Sequence, residues 1–254
     1  MRQEGSTFLH KRRLARALRR ASELPDQAAR LSPQVLAEAE ADTERLRQAI
    51  DAADQATEMA RAKLAAGSQI SAPEQCDFAL RPDIWCQPIR PRGGVAIGSP
   101  TALSPFTTLH HDCHASEIGY RQIRAASGIA RYHLALEVYR FTGSFLSLVH
   151  PLTDGAVAGL TRGHIFVIAL EIEWDEPLEI YARLNLQSGP NTEQMVREMP
   201  VRGGHAVAEF DLAYTKINEK RMGNVWLDLI LEAPQMNRVL LRDLTITRAP
   251  RADI

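Results

Sequence analysis

From about residue 105 to the C-terminus, apolar side chains recur at every second position. "HIFVIALEIEW" sets Phe166, Ile168, Leu170, Ile172 and Trp174 on one side of an extended chain. "RYHLALEVYRF" does the same with Tyr132, Leu134, Leu136 and Val138, and "EIYARLNLQ" with Ile180, Ala182, Leu184 and Leu186. "EIGYRQIR", "GSFLSLVHPL", "VAEFDLAY", "NVWLDLILE" and "RVLLRDLTITR" complete the set. A period of two is that of a half-buried strand, and about eight such runs at this spacing predict an antiparallel sandwich. Parallel strands need crossover helices, and none of that length separates these runs. The expectation is a mainly β protein, an antiparallel jelly-roll β-sandwich over residues 105–254 with an N-terminal α-helical segment.

The first 67 residues have a helical period. "FLHKRRLARALRRA" places Leu14, Leu18 and Ala21 on one face, with Arg12, Arg13, Arg16, Arg19 and Arg20 around the rest. Ser32-Pro33 reads as an N-cap followed by proline at the first helical position, and Gly67 as a C-terminal cap. Between them, Leu36, Thr43, Ile50, Thr57 and Leu64 recur every seventh residue, with Ala39, Leu46, Ala53 and Ala60 in the complementary position. This narrow seam suits docking onto a partner or a larger assembly. Arg12, Arg13, Arg16, Arg19, Arg20, Leu46 and Ile50 are the expected docking residues. Packing within the chain is the competing reading. Residues 68–104, rich in proline and glycine, read as an irregular linker that wraps the sandwich, with Trp85 as its anchor.

Bulk properties exclude several classes. The net charge is −1, so nothing drives the 254-residue chain as a whole toward nucleic acid or membrane. Its three cysteines, Cys76, Cys86 and Cys113, have neither CxxC spacing nor an even count, which argues against a disulfide framework or a zinc ribbon. Basic residues follow Phe8 and Leu9 where a secretory signal needs an apolar core, and no run is long enough to span a bilayer. Cytoplasmic synthesis without a signal peptide is expected.

The polar sides of the strands hold the first candidate site. Tyr181, Arg183 and Asn185 alternate outward from one run, Trp226 and Asp228 from another, and His133, Glu137 and Tyr139 from a third. If these strands are neighbours, they make one face with an aromatic platform and planar polar groups. Such a face suits a sugar, whose rings stack and whose hydroxyls take bidentate hydrogen bonds. A solvated face with ordinary cross-strand pairs is the alternative. The polar stretches "QSGPNTEQ" (187–194) and "YTKINEKRMGN" (214–224) read as loops and form a second candidate, with Asn218, Glu219, Lys220 and Arg221 also readable as one exposed helical turn.

"HHDCHASE" (110–117) is rich in metal ligands. In an extended segment His110, Asp112 and His114 point one way, and His111 and Cys113 the other, which splits any zinc set. A structural calcium ion would use Asp112 and Glu117 instead. Cys113 beside His111 or His114 lacks the glycine-rich elbow or helix start of an oxyanion hole. The acids Glu171, Glu173, Asp175 and Glu179 offer paired carboxylates for glycoside hydrolysis. No catalytic residue and no cofactor is assigned.

The closing stretch, "NVWLDLILEAPQMNRVLLRDLTITRAPR", resembles the last two strands of galactose-binding-like and carbohydrate-binding-module jelly rolls. The whole chain, through "HDC", "GSFLSLV", "ARLN", "GPNT", "FDLAY", "NEKR" and "LRDLT", resembles a family of uncharacterised alphaproteobacterial proteins. Its layout is similar to that of the head-spike proteins of gene transfer agents, phage-like particles made by alphaproteobacteria. The resemblance implies a non-enzymatic carbohydrate-binding protein that recognises a cell-surface glycan. Residues 1–66 would then dock it, as an oligomer or part of a larger assembly, on a released virion-like particle. A cytoplasmic glycan-active enzyme or accessory factor and a protein-binding scaffold are the alternatives.

Overall fold

The computed structural model describes residues 32–64, 70, 72 and 75–251. The expected basic helix with Arg12, Arg13, Arg16, Arg19 and Arg20, and the Gly67 cap, lie outside the described residues.

Helix α1 (Pro33–Leu64) begins where the Ser-Pro pair predicts. The Ser32 carbonyl accepts from the Leu36 amide at 3.0 Å, and its hydroxyl stands 3.5 Å from the Val35 amide. Thr43 and Thr57 return their hydroxyls to the carbonyls four residues back, so these two seam positions spend their polar groups locally. Leu46 and Ile50 are about half exposed, at 45% and 53%.

The rest of the described chain is two facing antiparallel sheets. One runs β11 (His205–Asp211), β8 (His164–Trp174), β13 (Asn237–Pro250), β6 (Tyr132–Val138), β5 (Ile118–Arg124), β2 (Gly93–Gly94), and β1 (Phe78–Leu80) adds to the end of β13. The other runs β10 (Asn191–Glu198), β9 (Ile180–Ser188), β12 (Met222–Glu232), β7 (Phe145–Pro151), β4 (Thr107–His111), β3 (Thr101–Ser104). The order β6-β13-β8-β11 faces β7-β12-β9-β10, so the chain winds back and forth between sheets as a jelly roll. The alternating residues meet in between: Leu134, Leu136, Phe166, Ile168, Leu184, Leu186, Leu227, Leu229, Leu241 and Ile246 are all buried.

Two expectations change. The stretch 68–104 is not only a linker. Besides β1, β2 and β3 it holds a short helix α2 (Asp83–Cys86), and Trp85 is fully buried with its indole N–H on the Leu241 carbonyl at 3.2 Å. Two buried arginines clamp this stretch to the last strand. Arg81 makes a two-pronged bridge to Asp243 at 2.7 and 2.9 Å, and Arg248 makes one to Asp77 with both bonds at 2.8 Å. Arg248 also donates to the Ala156 and Ala158 carbonyls, closing helix α3 (Asp154–Val157). Arg248 holds Asp77 below the usual carboxylate range, chiefly through its hydrogen bond, and His164 adds to the effect.

The second change concerns "QSGPNTEQ". Read as a loop, it is the tip of a hairpin: β9 ends at Ser188, Gly189 turns with φ +60°, and β10 starts at Asn191. The 3-10 turn Glu219–Arg221, by contrast, is the exposed helical turn expected there.

Candidate functional site

Strands β9 and β12 are neighbours, in a register that sets Arg183 opposite Asp228 and Asn185 opposite Trp226. These residues alternate with the core leucines and so leave from the outer side of their sheet. Asp228 and Asn185 are nevertheless buried, at 2% and 0% exposure. Burial of a carboxylate requires partners, and Asp228 has them. Its Oδ2 accepts from Arg183 Nε at 2.6 Å and from Asn185 Nδ2 at 3.1 Å. Asn185 in turn accepts from Gln194 Nε2 of β10 at 2.9 Å. A hydrogen-bonded row of planar groups, Gln194–Asn185–Asp228–Arg183, thus crosses three strands, and Trp226 stands opposite its member Asn185 in the register.

Trp226 itself opens into a depression of about 380 Å³. Val149, Pro151 and Leu152 from β7 and its exit supply apolar surface, and Gln187, Thr192 and Asn224 supply amides and a hydroxyl. Gln187 is held in place: its Oε1 accepts from the Asn224 side chain at 3.0 Å and from the Asn224 amide at 3.3 Å. An aromatic platform, apolar ground and oriented amides and hydroxyls are what a pyranose ring needs, with its flat C–H face and ring of hydroxyls. No residue in this lining ionises, so it holds no general acid, base or nucleophile.

At the other end of β9, Tyr181 donates its hydroxyl to Glu179 at 2.7 Å, which pushes its pKa up to about 12. Glu198 and Glu232 add to that negative field.

The expected single face splits. His133 and Glu137 sit on β6, in the opposite sheet, and cannot join Trp226. Period two says which side of its strand a residue takes, but not which sheet the strand joins. Glu137 pairs with Arg121 of β5 at 3.0 Å. His133 donates Nδ1–H to the Arg242 carbonyl at 2.8 Å, because a carbonyl only accepts. It lines a separate depression of about 310 Å³ with Glu171, Arg242 and residues 126–130. Tyr139 is exposed beyond the end of β6.

Glu173 and Glu179 among the acids, and Asp112 and Glu117 in the histidine-rich stretch, have structural partners. Glu173 pairs with Arg242 at 2.8 Å, and Glu179 holds Tyr181. The alternation in "HHDCHASE" is as expected, with His111 and Cys113 buried and Asp112 and His114 exposed. Asp112 accepts from the Ser144 amide at 2.8 Å, the Ser144 hydroxyl at 2.6 Å and the Phe145 amide at 3.3 Å. Those bonds, the Ser144 hydroxyl first, bring its carboxyl down to about 2. Glu117 stands 3.4 Å from Arg140. Among the described residues no three His, Cys, Asp or Glu side chains converge as an ion would require. No described helix is long and apolar enough to cross a membrane.

Three residues missed as single candidates, Gln187, Thr192 and Asn224, lie in the stretches read as loops. Their signal was present, in polar residues flanking Trp226 and following "ARLN". Val149, Pro151 and Leu152 had no signal of their own.

The fold and this sheet face define an antiparallel jelly-roll protein with an aromatic depression on one sheet. The chain belongs to DUF6478, a family of unknown function, whose model matches residues 1–254. None of the curated proteins matches it. Among solved structures it is similar to a family 11 carbohydrate-binding module from Clostridium thermocellum in complex with a β-1,3-1,4-mixed-linked tetrasaccharide. That match has 8% identity over 63% of this chain and 98% of that one, with a TM-score of 0.39. The CBM22-1 xylan-binding domain from Paenibacillus barcinonensis Xyn10C matches at 9% identity over 71% and 100%, with a TM-score of 0.39. The enzymatically active domain of tailspike protein 4 of bacteriophage CBA120 matches at 7% identity over 56% of this chain, with a TM-score of 0.39. The match covers only 19% of that tailspike domain's chain.

Proposed function

We propose that this protein binds a glycan, without chemistry at the site, on the face formed by β10, β9, β12 and β7. The observation that carries this is the Trp226 depression, in which an indole is flanked by Gln187, Thr192 and Asn224 and by no ionisable side chain. Trp226 stacks on a sugar ring, and the Gln194–Asn185–Asp228–Arg183 row stiffens the strands beneath it. The test is a glycan array with the full chain and with Trp226→Ala. A glycan bound by the wild type and at least about tenfold more weakly by the variant supports the site, since central aromatic anchors carry much of a binding energy. A glycan bound equally by both places recognition elsewhere. An array without any bound glycan rejects the reading.

The finer reading is that the helical segment, residues 1–66, docks the protein onto a larger assembly, as a spike of a phage-like particle released from the cell. Leu46 and Ile50, half exposed on a heptad seam, support it. Sedimentation of particles from producing cells checks it. The full chain travels with the particles and a chain lacking residues 1–66 stays behind, still binding glycan. Recovery of the full chain only as a free monomer rejects it.

A further inference from the structure

The charge pattern of the β9–β12 face goes one step further and rests on the glycan reading. We infer that its ligand is an uncharged polysaccharide rather than a uronate-bearing or sulfated one. Recognition of an anionic sugar takes a cation with hydrogen-bonding capacity to spare at the site. The lining of the Trp226 depression has none: Val149, Pro151, Gln187, Thr192 and Asn224 are all neutral.

Arg183 stands on β9 two residues from Asn185, on the same face, and already has a carboxylate. Its Nε lies 2.6 Å from Asp228, whose side chain is 3% exposed and fixed in place by Asn185. The Asp228 charge offsets that of Arg183, so the pair presents no net positive charge to an anionic ligand. Farther along β9 the field turns negative, where Glu179, Glu198 and Glu232 surround Tyr181. An anionic chain extending that way is repelled. The basic residues nearest in sequence, Lys220 and Arg221, are exposed on the turn before β12 and outside the lining. Stacking and neutral hydrogen bonds then supply the affinity, and neither is screened by salt.

The test uses polysaccharide pairs that differ in charge. These are β-1,4-galactan and polygalacturonate, dextran and dextran sulfate, and hydroxyethylcellulose and carboxymethylcellulose. Affinity electrophoresis and calorimetry with the full chain are run at about 20 mM and about 500 mM NaCl, where the Debye length falls from roughly 20 Å to about 4 Å. The expected result is that a neutral member binds with affinity constant within about twofold across that range, while its anionic partner binds at least about tenfold more weakly. Thr192→Lys, which adds a cation to the exposed lining, narrows that gap at low salt and not at high salt. Preference for an anionic member, weakening with salt and lost in Trp226→Ala, overturns the inference and leaves the site standing. Failure of every pair together with an empty array overturns the glycan reading itself.

Discussion

Arg183 Nε and Asp228 Oδ2 lie 2.6 Å apart on adjacent strands, directly opposite each other in the β9–β12 register. The pair is lopsided: the carboxylate side chain is 3% exposed and the guanidinium 36%. The two halves should therefore respond differently to deletion. Arg183→Ala strands a buried charge with Asn185 as its remaining partner. Allowing for solvent screening at the arginine, this costs roughly 1–3 kcal/mol. Asp228→Ala releases an arginine that solvent can satisfy, and should cost less. Urea unfolding of both variants, with an unchanged slope, checks the order. Equal losses would show that the carboxylate is not the buried end that matters.

Trp85 makes a second prediction, because it anchors a stretch that lies outside the strand-rich half. Its ring is fully buried and packs on His150 with centroids 5.5 Å apart, and its N–H satisfies the Leu241 carbonyl. Trp85→Ala should cost about 3–5 kcal/mol through the cavity it opens. Trp85→Phe should cost about 1–3 kcal/mol, in part through the carbonyl it orphans. A fragment starting at residue 105 loses this ring together with Arg81 and Asp77. It should unfold without cooperativity and bind a hydrophobic dye, as a sandwich with an uncovered core does. Cooperative unfolding of that fragment would show that residues 75–104 are only an attachment.

The contrast between Trp85 and β10 shows what the sequence could reveal. Strands buried on one face announce themselves, since Phe166 to Ile172 or Ile180 to Leu186 cannot be placed otherwise. β10 is an edge strand with Met195 as its buried residue, so polar side chains fall on both its sides and alternation disappears. β1 and α2 are too short to show any period, and prolines flank them. The site was legible as residue types, Trp226 with Asp228 and Arg183 with Asn185. Which strands lie side by side depends on long-range pairing, so His133 and Glu137 were joined to a face they do not share. The β7 contribution, Val149 and Pro151, reads as ordinary strand and becomes part of a site only through its place beside β12.

His150 predicts a pH dependence. It is fully buried, and burial pushes its pKa down to about 3. Its Nδ1 lies 3.1 Å from Thr107 Oγ1, which donates to Asp83 at 3.3 Å, so Nδ1 carries the proton; Nε2 has no partner among the described residues. Below pH 6.5 the unfolded chain takes up a proton there that the folded chain refuses. The contribution is thus complete above pH 6.5 and is lost as pH falls toward 3, by up to about 5 kcal/mol. Stability measured from pH 7 to pH 4 should fall in the wild type and flatten in His150→Phe. A parallel decline in the two proteins would assign the loss to other groups.

Asp112 titrates in a lower window and supports a different part of the fold. Its folded pKa of about 2 is below the ordinary 3.8, so what it contributes is present above pH 3.8 and is lost between 3.8 and 2. The contribution consists of capping: the carboxylate gathers the Ser144 and Phe145 amides at the entry to β7. Gly143 makes this approach possible, since a Cβ there would collide with the Asp112 carboxylate and lie 2.9 Å from the Cys113 amide nitrogen. Asp112→Ala should cost about 1 kcal/mol, as loss of a capping oxygen does. Gly143→Ala should cost more, because the Cys113 backbone cannot swing aside. Because donors already occupy both Asp112 oxygens, excess calcium or EDTA should leave the wild-type melting temperature within about 1 °C. A rise with calcium that disappears in Asp112→Ala would show that the carboxylate trades its amides for an ion.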